Sequence, residues 1–164
     1  MREWVDRVSD KIKVKYEWFE PEKTVLEQLN SFEDILELGS GKGRYTKLIP
    51  RIVGLEYSQY FINYCRDNVK GLFLRGDAFR IPIKDNSFDC VFSSGLIEHF
   101  DDPDAIIREH RRVCREGGIV IITVPTKDSP DCRRAVVGQE CLRKGEKRDW
   151  HYYGRRMGDK ELEE

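Results

Sequence analysis

The sequence lacks any C-x-x-C pair, although it contains five cysteines among its 164 residues. This odd number without close spacing argues against a metal site. We expect Cys90, in a predicted core strand, and Cys114, on a predicted helix, to act as small apolar residues of a reduced protein. Cys132 and Cys141 lie close enough in sequence to form a disulfide on oxidation.

The sequence also lacks long apolar runs and an excess of one charge. No segment is long and apolar enough to cross a bilayer, and residues 1–19 contain no apolar core of signal-peptide length. These absences predict a cytoplasmic protein with no membrane partner. Lysine and arginine number 29 against 30 aspartate and glutamate, so the overall charge does not indicate a polyanionic partner.

Three alternate glycines stand out in residues 35–45, which read ILELGSGKGRY. Ile35, Leu36 and Leu38 predict a short buried strand, and residues 39–43 predict a tight connection into a helix. Glycine permits positive φ and lets a ligand approach more closely than a Cβ would. The pattern therefore predicts an α/β domain with a small ligand at this turn, and an ordinary strand-to-helix turn is the alternative.

A second acid, Glu56, follows the apolar segment 51–55, which predicts another buried strand. In nucleotide-binding α/β folds, a carboxylate at this position accepts hydrogen bonds from the two ribose hydroxyls. The alternative is a surface glutamate that caps the next helix. Tyr57 beside it is predicted either to stack on an adenine or to cover the sheet edge.

The glycine spacing separates two classes of cofactor. A dinucleotide fingerprint, G-x-G-x-x-G/A, would place a small residue at position 44, where the chain has Arg44. An NAD-dependent oxidoreductase is therefore the weaker reading. The pattern E-x-G-x-G-x-G, which begins at Glu37, instead resembles the first motif of the class I S-adenosylmethionine-dependent methyltransferases.

The resemblance continues downstream and covers about residues 30 to 126. Asp77 and Ala78 match the acid and small residue that read the adenine in this family. Residues 88–93 resemble its fourth strand, and residues 94–99 resemble the segment that lines the sulfonium and the acceptor pocket. Residues 103–115 predict an amphipathic helix with Ile106, Ile107, His110 and Val113 on one face, and residues 115–125 resemble the turn and fifth strand.

This resemblance implies an α/β doubly wound, mostly parallel sheet of about five strands. It implies S-adenosylmethionine as cofactor, S-adenosylhomocysteine as product and a small molecule as the most favoured acceptor. Glu37 would face the cofactor's ammonium, and His99 is the nearest candidate base, or else an anchor for its loop. The implied cofactor residues are Glu37, Gly39, Ser40, Gly41, Gly43, Glu56, Tyr57, Asp77, Ala78 and Ser94.

The predicted organisation has three parts: a helical cap over 1–30, a cofactor-binding core over 31–126 and a polar tail over 127–164. Helices are expected over 2–14 and 17–30, and their aromatic residues either close the site or pack between helices. They are Tyr16, Trp18 and Phe19. The tail carries an excess of basic residues that could guide RNA, although a solvated loop is more usual.

The family's sixth and seventh strands have no counterpart in the tail, which ends in a fresh helical start. We therefore expect either a truncated chain or a minimal variant. In the latter, the exposed sheet edge is covered by the tail or by a second copy, so a homodimer is one expectation. A methyltransferase is thus the leading interpretation, and the competing one is a cofactor-binding module that is catalytically inactive.

Overall fold

A computed structural model describes residues 20–124. Five strands form one sheet, with helices in the connections between them. The strands are β1 (Ile35–Leu38), β2 (Val53–Glu56), β3 (Leu72–Arg75), β4 (Phe88–Ser94) and β5 (Cys114–Thr123). The helices are α1 (Glu20–Leu29), α2 (Arg44–Leu48), α3 (Gln59–Asn68) and α4 (Pro103–Val113), with a 3₁₀ turn at Ile97–His99.

The strand order is β3-β2-β1-β4-β5, and every pairing is parallel. The chain first adds strands on one side of β1 and then continues on the other side, so the order reverses between β1 and β4. Leu38 pairs with Leu55 on one side and with Ser93 on the other. The carboxyl ends of three strands therefore meet at one sheet edge, where doubly wound folds bind their ligands.

Alternation along β1 and β4 divides the core into two layers. Ile35, Cys90 and Phe92 pack on one face with residues of α1 and α2. Leu36, Leu38 and Val91 pack on the other face with the end of α4. Because parallel strands are covered on both sides, both alternating sets are apolar, as the short buried runs predicted.

Helix α1 is fixed to the sheet at its carboxyl end. Val25 and Leu29 are buried in the first core layer. The guanidinium of Arg51 donates hydrogen bonds to the carbonyls of Phe32, Leu29 and Asn30, at 2.8, 3.3 and 3.2 Å. These bonds satisfy carbonyls that have no partner within the helix, and they join α1 to the residues that precede β2.

The prediction of a helix over 103–115 is wrong about where the helix ends and about one residue of its buried face. Helix α4 stops at Val113, and Cys114 is the first residue of β5 rather than a helical residue. The backbone of Cys114 is extended and pairs with Phe88, which accounts for this early end. Ile107 is 38% exposed, whereas Ile106, His110 and Val113 are buried.

The turn predicted before the fifth strand is an irregularity inside it. Gly117 has φ of +79°, and the pairing register shifts between Phe88 and Cys90. A left-handed residue in a strand is typical of a bulge. Beyond this bulge, Ile119 to Thr123 pair regularly with Cys90 to Ser94.

Several predictions concern residues outside the described range. These are the helix over 2–14, the aromatic residues Tyr16, Trp18 and Phe19, the disulfide between Cys132 and Cys141, and the character of the tail over 127–164. Within residues 20–124, no helix combines the length and apolarity that crossing a membrane requires.

Candidate functional site

The glycine turn lies at the carboxyl end of β1 and takes the left-handed backbone that the sequence predicts. Gly39, Gly41 and Gly43 have φ of +72°, +52° and +69°. The amides of Gly39 and Ser40 both donate to the carbonyl of Leu55, at 2.9 and 3.1 Å. The turn is therefore bound to the adjacent strand β2 while it reverses the chain into α2.

The three glycines differ in what surrounds them. A Cβ on Gly39 would lie 2.7 Å from Leu96 Cδ1, and one on Gly43 would lie 2.7 Å from Phe73 Cζ. A Cβ on Gly41 would meet no protein atom within 4 Å among the described residues. Gly39 and Gly43 thus serve close packing, whereas Gly41 borders open space.

Glu56 ends β2 beside this turn, and its carboxylate binds two backbone amides. Gly41 N donates to Oε2 and Ser58 N donates to Oε1, each at 2.8 Å. Burial raises the pKa of Glu56, and the hydrogen bonds from Ser58 and Gly41 partly offset that effect. Glu56 does not cap α3, because the Ser58 side chain accepts from Phe61 N and fills that role.

Glu37 lies in β1, two residues before the turn, and is 4% exposed. Its Oε2 has no hydrogen-bond partner among the described residues. The pKa of Glu37 is raised well above its usual value, first because burial disfavours the carboxylate and second because Glu56 is negative. Two acids at the tips of neighbouring strands therefore share one small, poorly solvated region.

Ser40 and Cys65 complete the surroundings of the turn. The buried Ser40 Oγ also has no partner in the described part of the chain, and it lies over Gly54, where a Cβ would approach it to 2.7 Å. Cys65 on α3 is buried, and its thiol donates to the carbonyl of Gly41 at 3.3 Å. Burial raises the pKa of this thiol to about 11, with further contributions from Glu56 and Glu37.

Asp77 and Ala78 follow β3 at the same sheet edge. Asp77 Oδ1 accepts from the amide of Phe79 at 2.9 Å, and its carbonyl accepts from Arg80 N, so a tight turn fixes this acid. Asp77 is exposed and Ala78 is half-buried against Ile97. Tyr57, after β2, is 45% exposed and leaves its ring accessible.

Three hydroxyl groups meet at the ends of β4 and β5. Ser94 Oγ accepts from Tyr45 OH at 3.3 Å and from Thr123 Oγ1 at 3.1 Å. Tyr45 belongs to α2, directly after the glycine turn, and its ring packs edge-on against Phe92 at 5.2 Å between centroids. Ser94 is thereby joined to the turn helix and to β5.

The 3₁₀ turn after β4 carries two titratable residues with different environments. His99 is an exposed residue by its overall solvent accessibility. Partial desolvation of its ring by nearby protein atoms lowers its pKa, and a backbone hydrogen bond with Gly95 opposes this effect. Glu98 is 3% exposed, and its Oε2 has no hydrogen-bond partner among the described residues. Burial raises the pKa of Glu98 to about 7.

Sequence reasoning included Glu98 in a family-like segment but gave it no role. Glutamates in short polar loops are usually exposed, and the local pattern gives no sign that this one is enclosed. The contact between Leu96 and Gly39 was also missed. It joins the loop after β4 to the glycine turn, although the two are more than fifty residues apart in sequence.

The predicted cofactor residues share one edge of the sheet. Glu37, Gly39, Ser40, Gly41 and Gly43 come from β1 and its turn, and Glu56 and Tyr57 from the end of β2. Asp77 and Ala78 follow β3, and Ser94 ends β4. In residues 20–124, no group of three or more His, Cys, Asp or Glu side chains is placed to hold a metal ion.

Comparisons with known proteins give this arrangement a family. The family model described as a methyltransferase domain matches residues 36–122, which is more than half of the chain. This match begins in β1 and ends in β5, so it includes the glycine turn, both strand-tip acids and the loop after β4.

Individual relatives agree with the family model. A protein of Encephalitozoon cuniculi that is named a putative methyltransferase is 32% identical over 133 residues, which cover 73% of this chain and 63% of that protein. The demethylmenaquinone methyltransferase of Thermotoga maritima is 32% identical over 97 residues, which cover 55% of this chain and 42% of the enzyme. The chain thus spans less than two thirds of the length of these relatives.

A solved structure supports the fold. The crystal structure of an S-adenosylmethionine-dependent methyltransferase from Thermotoga maritima superposes with a TM-score of 0.68 at 24% identity. The superposition covers 85% of this chain and 64% of that one. On the combined evidence of the matched domain, the relatives and the sheet, the chain belongs to the class I S-adenosylmethionine-dependent methyltransferases.

Proposed function

We propose that this protein binds S-adenosylmethionine at the carboxyl edge of its sheet and transfers the methyl group to a small molecule. The observation that carries the proposal is the glycine turn with its two strand-tip acids. Among the described residues, nothing would meet a Cβ on Gly41, Glu56 holds the turn, and one carboxylate oxygen of Glu37 has no partner. The family model covers this same region.

The chemistry of these groups fits the cofactor. The unpartnered oxygen of Glu37 would accept from the cofactor's ammonium, since a buried carboxylate favours a cationic donor. Each carboxylate oxygen of Glu56 accepts one hydrogen bond from a backbone amide. Each has a second lone pair that could accept from a ribose hydroxyl. Ser40 Oγ supplies a further unpartnered polar group at the turn.

Residues after the other strands would hold the adenine half. The Asp77 carboxylate would accept from the exocyclic amine, and its Asx turn keeps it in place. Tyr57 offers an exposed ring for stacking. Ser94 would line the methionine side, where the hydroxyl groups of Tyr45 and Thr123 hold it.

When bound, the cofactor supplies an activated methyl group on a sulfonium, so the protein's main task is positioning. Holding two reactants in a productive geometry corresponds to effective molarities of about 10⁵ M or more. Glycine turns and short strands suit this task, because their backbone amides are fixed by the sheet. We propose residues 31–126 as the part of the chain that performs it.

Relatives favour a small acceptor. The Thermotoga maritima relative is named for demethylmenaquinone, and a Yersinia pestis relative, 30% identical over 102 residues, is a malonyl-[acyl-carrier protein] O-methyltransferase. In the latter the methylated group is carried on a protein, so the acceptor screen includes carrier-bound acids. RNA is retained as another arm of this screen because of the basic residues in the tail.

We also propose that a second copy covers the β5 edge of the sheet. Among the described strands, β3 and β5 lie outermost, and Ile119 on β5 is 44% exposed. Unpaired strand edges favour association unless something shields them. Sedimentation analysis checks this: a dimer is expected, and a monomer at high micromolar concentration would contradict the proposal.

Calorimetry tests the cofactor assignment first. We expect S-adenosylmethionine and S-adenosylhomocysteine to bind and NADH not to bind. Binding of NADH alone would instead support the oxidoreductase that the glycine spacing disfavours. The variant Gly41→Trp fills the open space at the turn and should abolish binding of both sulfur compounds.

Methyl transfer is then tested with a radiolabelled donor against metabolites, carrier-bound acids and RNA. Transfer by the wild-type chain, lost in Gly41→Trp, would support the enzyme. Tight cofactor binding with no transfer to any class would support the alternative, a binding module without activity.

A further inference from the structure

The described contacts reveal no structural role for Glu98, the buried acid after β4. Glu98 follows Ile97 on the 3₁₀ turn and is 3% exposed. Its Oε2 is enclosed and lacks a hydrogen-bond partner in the described part of the chain. Buried polar atoms in native proteins nearly always have partners, so an exception is a candidate for a catalytic or ligand-binding group.

The position of Glu98 indicates which ligand such a group would bind. Its Oε1 would lie 3.4 Å from a Cβ on Gly95, so the carboxylate folds back toward the end of β4. Gly95 itself is held by donating its amide to the carbonyl of Thr123 at 2.9 Å. The carboxylate therefore lies at the same sheet edge as the cofactor residues, on the β4 side.

A contact joins the loop that carries this acid to the glycine turn. Leu96, two residues before Glu98, packs against Gly39, where a Cβ would meet its Cδ1 at 2.7 Å. The loop after β4 thus rests directly on the turn that we assign to the methionine part of the cofactor. The segment that carries Glu98 is thereby attached to the proposed cofactor site through Leu96.

The 3₁₀ turn that carries Glu98 adjoins an apolar part of the protein. Ile97 and Ile106 form a small core with Ala78, Leu96 and Phe100 packed against it. Phe100 also stacks edge-on with Phe79 at 5.1 Å, and Phe79 is 40% exposed. A buried carboxylate attracts hydrogen-bond donors strongly, because water does not compete for it.

We propose that Glu98 binds the methyl acceptor and receives its proton, which makes the acceptor a compound with an N–H or O–H group. The inference rests on the proposed methyl transfer and deepens it by naming the acceptor class. Exposed His99, the base suggested by sequence, is then a neighbour of the reacting group rather than its proton acceptor.

The transfer balances with Glu98 in this role. The acceptor's lone pair forms the bond to the methyl carbon, and the sulfur keeps the electron pair of the bond that breaks. The acceptor's proton passes to Oε2 of Glu98 and leaves to water with the product. The raised pKa of Glu98, about 7, suits a group that must hold and release a proton near neutrality.

A spectroscopic experiment tests the site before any natural acceptor is known. The full chain, labelled with ¹³C at the glutamate side-chain carboxyls, is saturated with S-adenosylhomocysteine, and the Glu98 signal is identified by its absence in Glu98→Gln. Methylamine, methanol and dimethyl sulfide are then added as the smallest N–H, O–H and donor-free probes. We expect saturable shifts with methylamine or methanol and none with dimethyl sulfide.

Variants separate this role from folding and from cofactor binding. Glu98→Gln should bind S-adenosylhomocysteine within about twofold of wild type, yet bind the shifting probe roughly tenfold more weakly, as expected for loss of a charge-assisted hydrogen bond. Glu27→Gln, an exposed acid on α1, should change neither affinity. Loss of S-adenosylhomocysteine binding in Glu98→Gln alone would overturn the proposal, because Glu98 would then serve the cofactor or the fold.

Two further outcomes would also overturn it: no probe shifts the Glu98 signal, or dimethyl sulfide shifts it as much as the donors do. With an acceptor from the methylation screen, Glu98→Gln should lower kcat by about 10²- to 10⁴-fold and remove the acid limb of the pH–rate profile. If Glu98→Gln kept the acid limb of the pH–rate profile and His99→Gln lost it, His99 would be the proton acceptor instead. Failure of wild type to bind S-adenosylhomocysteine would be a failure of the proposed function itself.

Discussion

Gly41 donates its amide to Glu56 across 2.8 Å, which joins the middle of the glycine turn to the tip of the neighbouring strand. The second carboxylate oxygen of Glu56 accepts from Ser58 N at the start of α3. One side chain therefore fixes both the turn after β1 and the turn after β2. The proposed ribose ligand is at the same time a structural support for the rest of the cofactor site.

Replacing Glu56 by alanine should lower the affinity for S-adenosylhomocysteine by roughly ten- to a hundredfold, because the ribose contacts are lost and the amide of Gly41 loses its acceptor. Calorimetry on the folded variant measures this. Glu33→Ala, at an exposed acid before β1, serves as the control. An unchanged affinity in Glu56→Ala would leave Glu56 with a purely structural role.

Gly41→Ala and Gly117→Ala form a matched pair. Both glycines have positive φ, +52° and +79°, and at neither would a Cβ meet a described atom within 4 Å. Each substitution should cost about 1–2 kcal/mol of unfolding free energy through backbone strain. Only Gly41→Ala should also weaken S-adenosylhomocysteine, because its Cβ would enter the cofactor's space. Equal affinities in the two variants would contradict the placement of the cofactor at the turn.

Cofactor affinity should fall as the pH is lowered. Burial, assisted by the charge of Glu56, raises the pKa of Glu37 well above its usual value, so the free protein holds a proton there over a wider pH range. Binding the ammonium requires the carboxylate, and complex formation should therefore release a proton. Calorimetry in phosphate and in Tris, whose ionisation enthalpies differ, measures the release. Identical apparent enthalpies in both buffers would refute it.

Glu37→Gln should stabilise the free protein at neutral pH while weakening the cofactor. Folding raises the pKa of Glu37, so this acid lowers the unfolding free energy of the protein increasingly as the pH rises above its unfolded pKa. The gain in unfolding free energy from Glu37→Gln should therefore grow from pH 5 to pH 8. Urea denaturation at both values measures the difference. A variant less stable than wild type at pH 8 would show that the carboxylate supports the fold.

The buried pair His110 and Ser93 should make stability fall in mild acid. Nδ1 of His110 donates to the carbonyl of Ile106 at 2.8 Å, so Nε2 accepts from the Ser93 hydroxyl at 3.0 Å, and the ring is neutral. Burial lowers the pKa of His110. Its contribution is therefore complete above the unfolded histidine pKa and is lost as the pH falls below it.

Ser93→Ala should cost about 1–3 kcal/mol at pH 8, because Nε2 is left without a donor. Urea denaturation of wild type and Ser93→Ala at pH 8 and pH 5 measures both effects. Because the raised pKa values of Glu37, Glu56 and Glu98 act on total stability in the opposite sense, the test is the cost of Ser93→Ala, which should shrink from pH 8 to pH 5. An equal cost at both values would contradict the neutral, buried histidine.

Local pattern was sufficient for most of the fold. The apolar runs that become β1 and β4, the short helix over Arg44–Leu48 and the left-handed glycines all follow from composition and spacing over a few residues. The end of α4 could not be read in this way. Residues around Cys114 have helical periodicity, but pairing with Phe88 draws Cys114 into an extended strand.

The site was less accessible to sequence reasoning. Its strand-tip acids occupy positions that topology brings together, so Glu37 and Glu56 could be anticipated from their places near the carboxyl ends of β1 and β2. Burial of Glu98, which is 3% exposed, arises from tertiary packing that no local signal encodes. The hydroxyl cluster of Tyr45, Ser94 and Thr123 likewise joins three separate elements.

The thiol of Cys65 lies against the glycine turn and donates to the carbonyl of Gly41. Since its pKa is about 11, only roughly one molecule in ten thousand carries the reactive thiolate at pH 7. Burial in the first place, and the charges of Glu56 and Glu37 in the second, thereby suppress the nucleophilicity of this sulfur. Peroxide and alkylating agents should spare this cysteine, so the turn is protected from oxidative damage mainly by the burial of the thiol beside it.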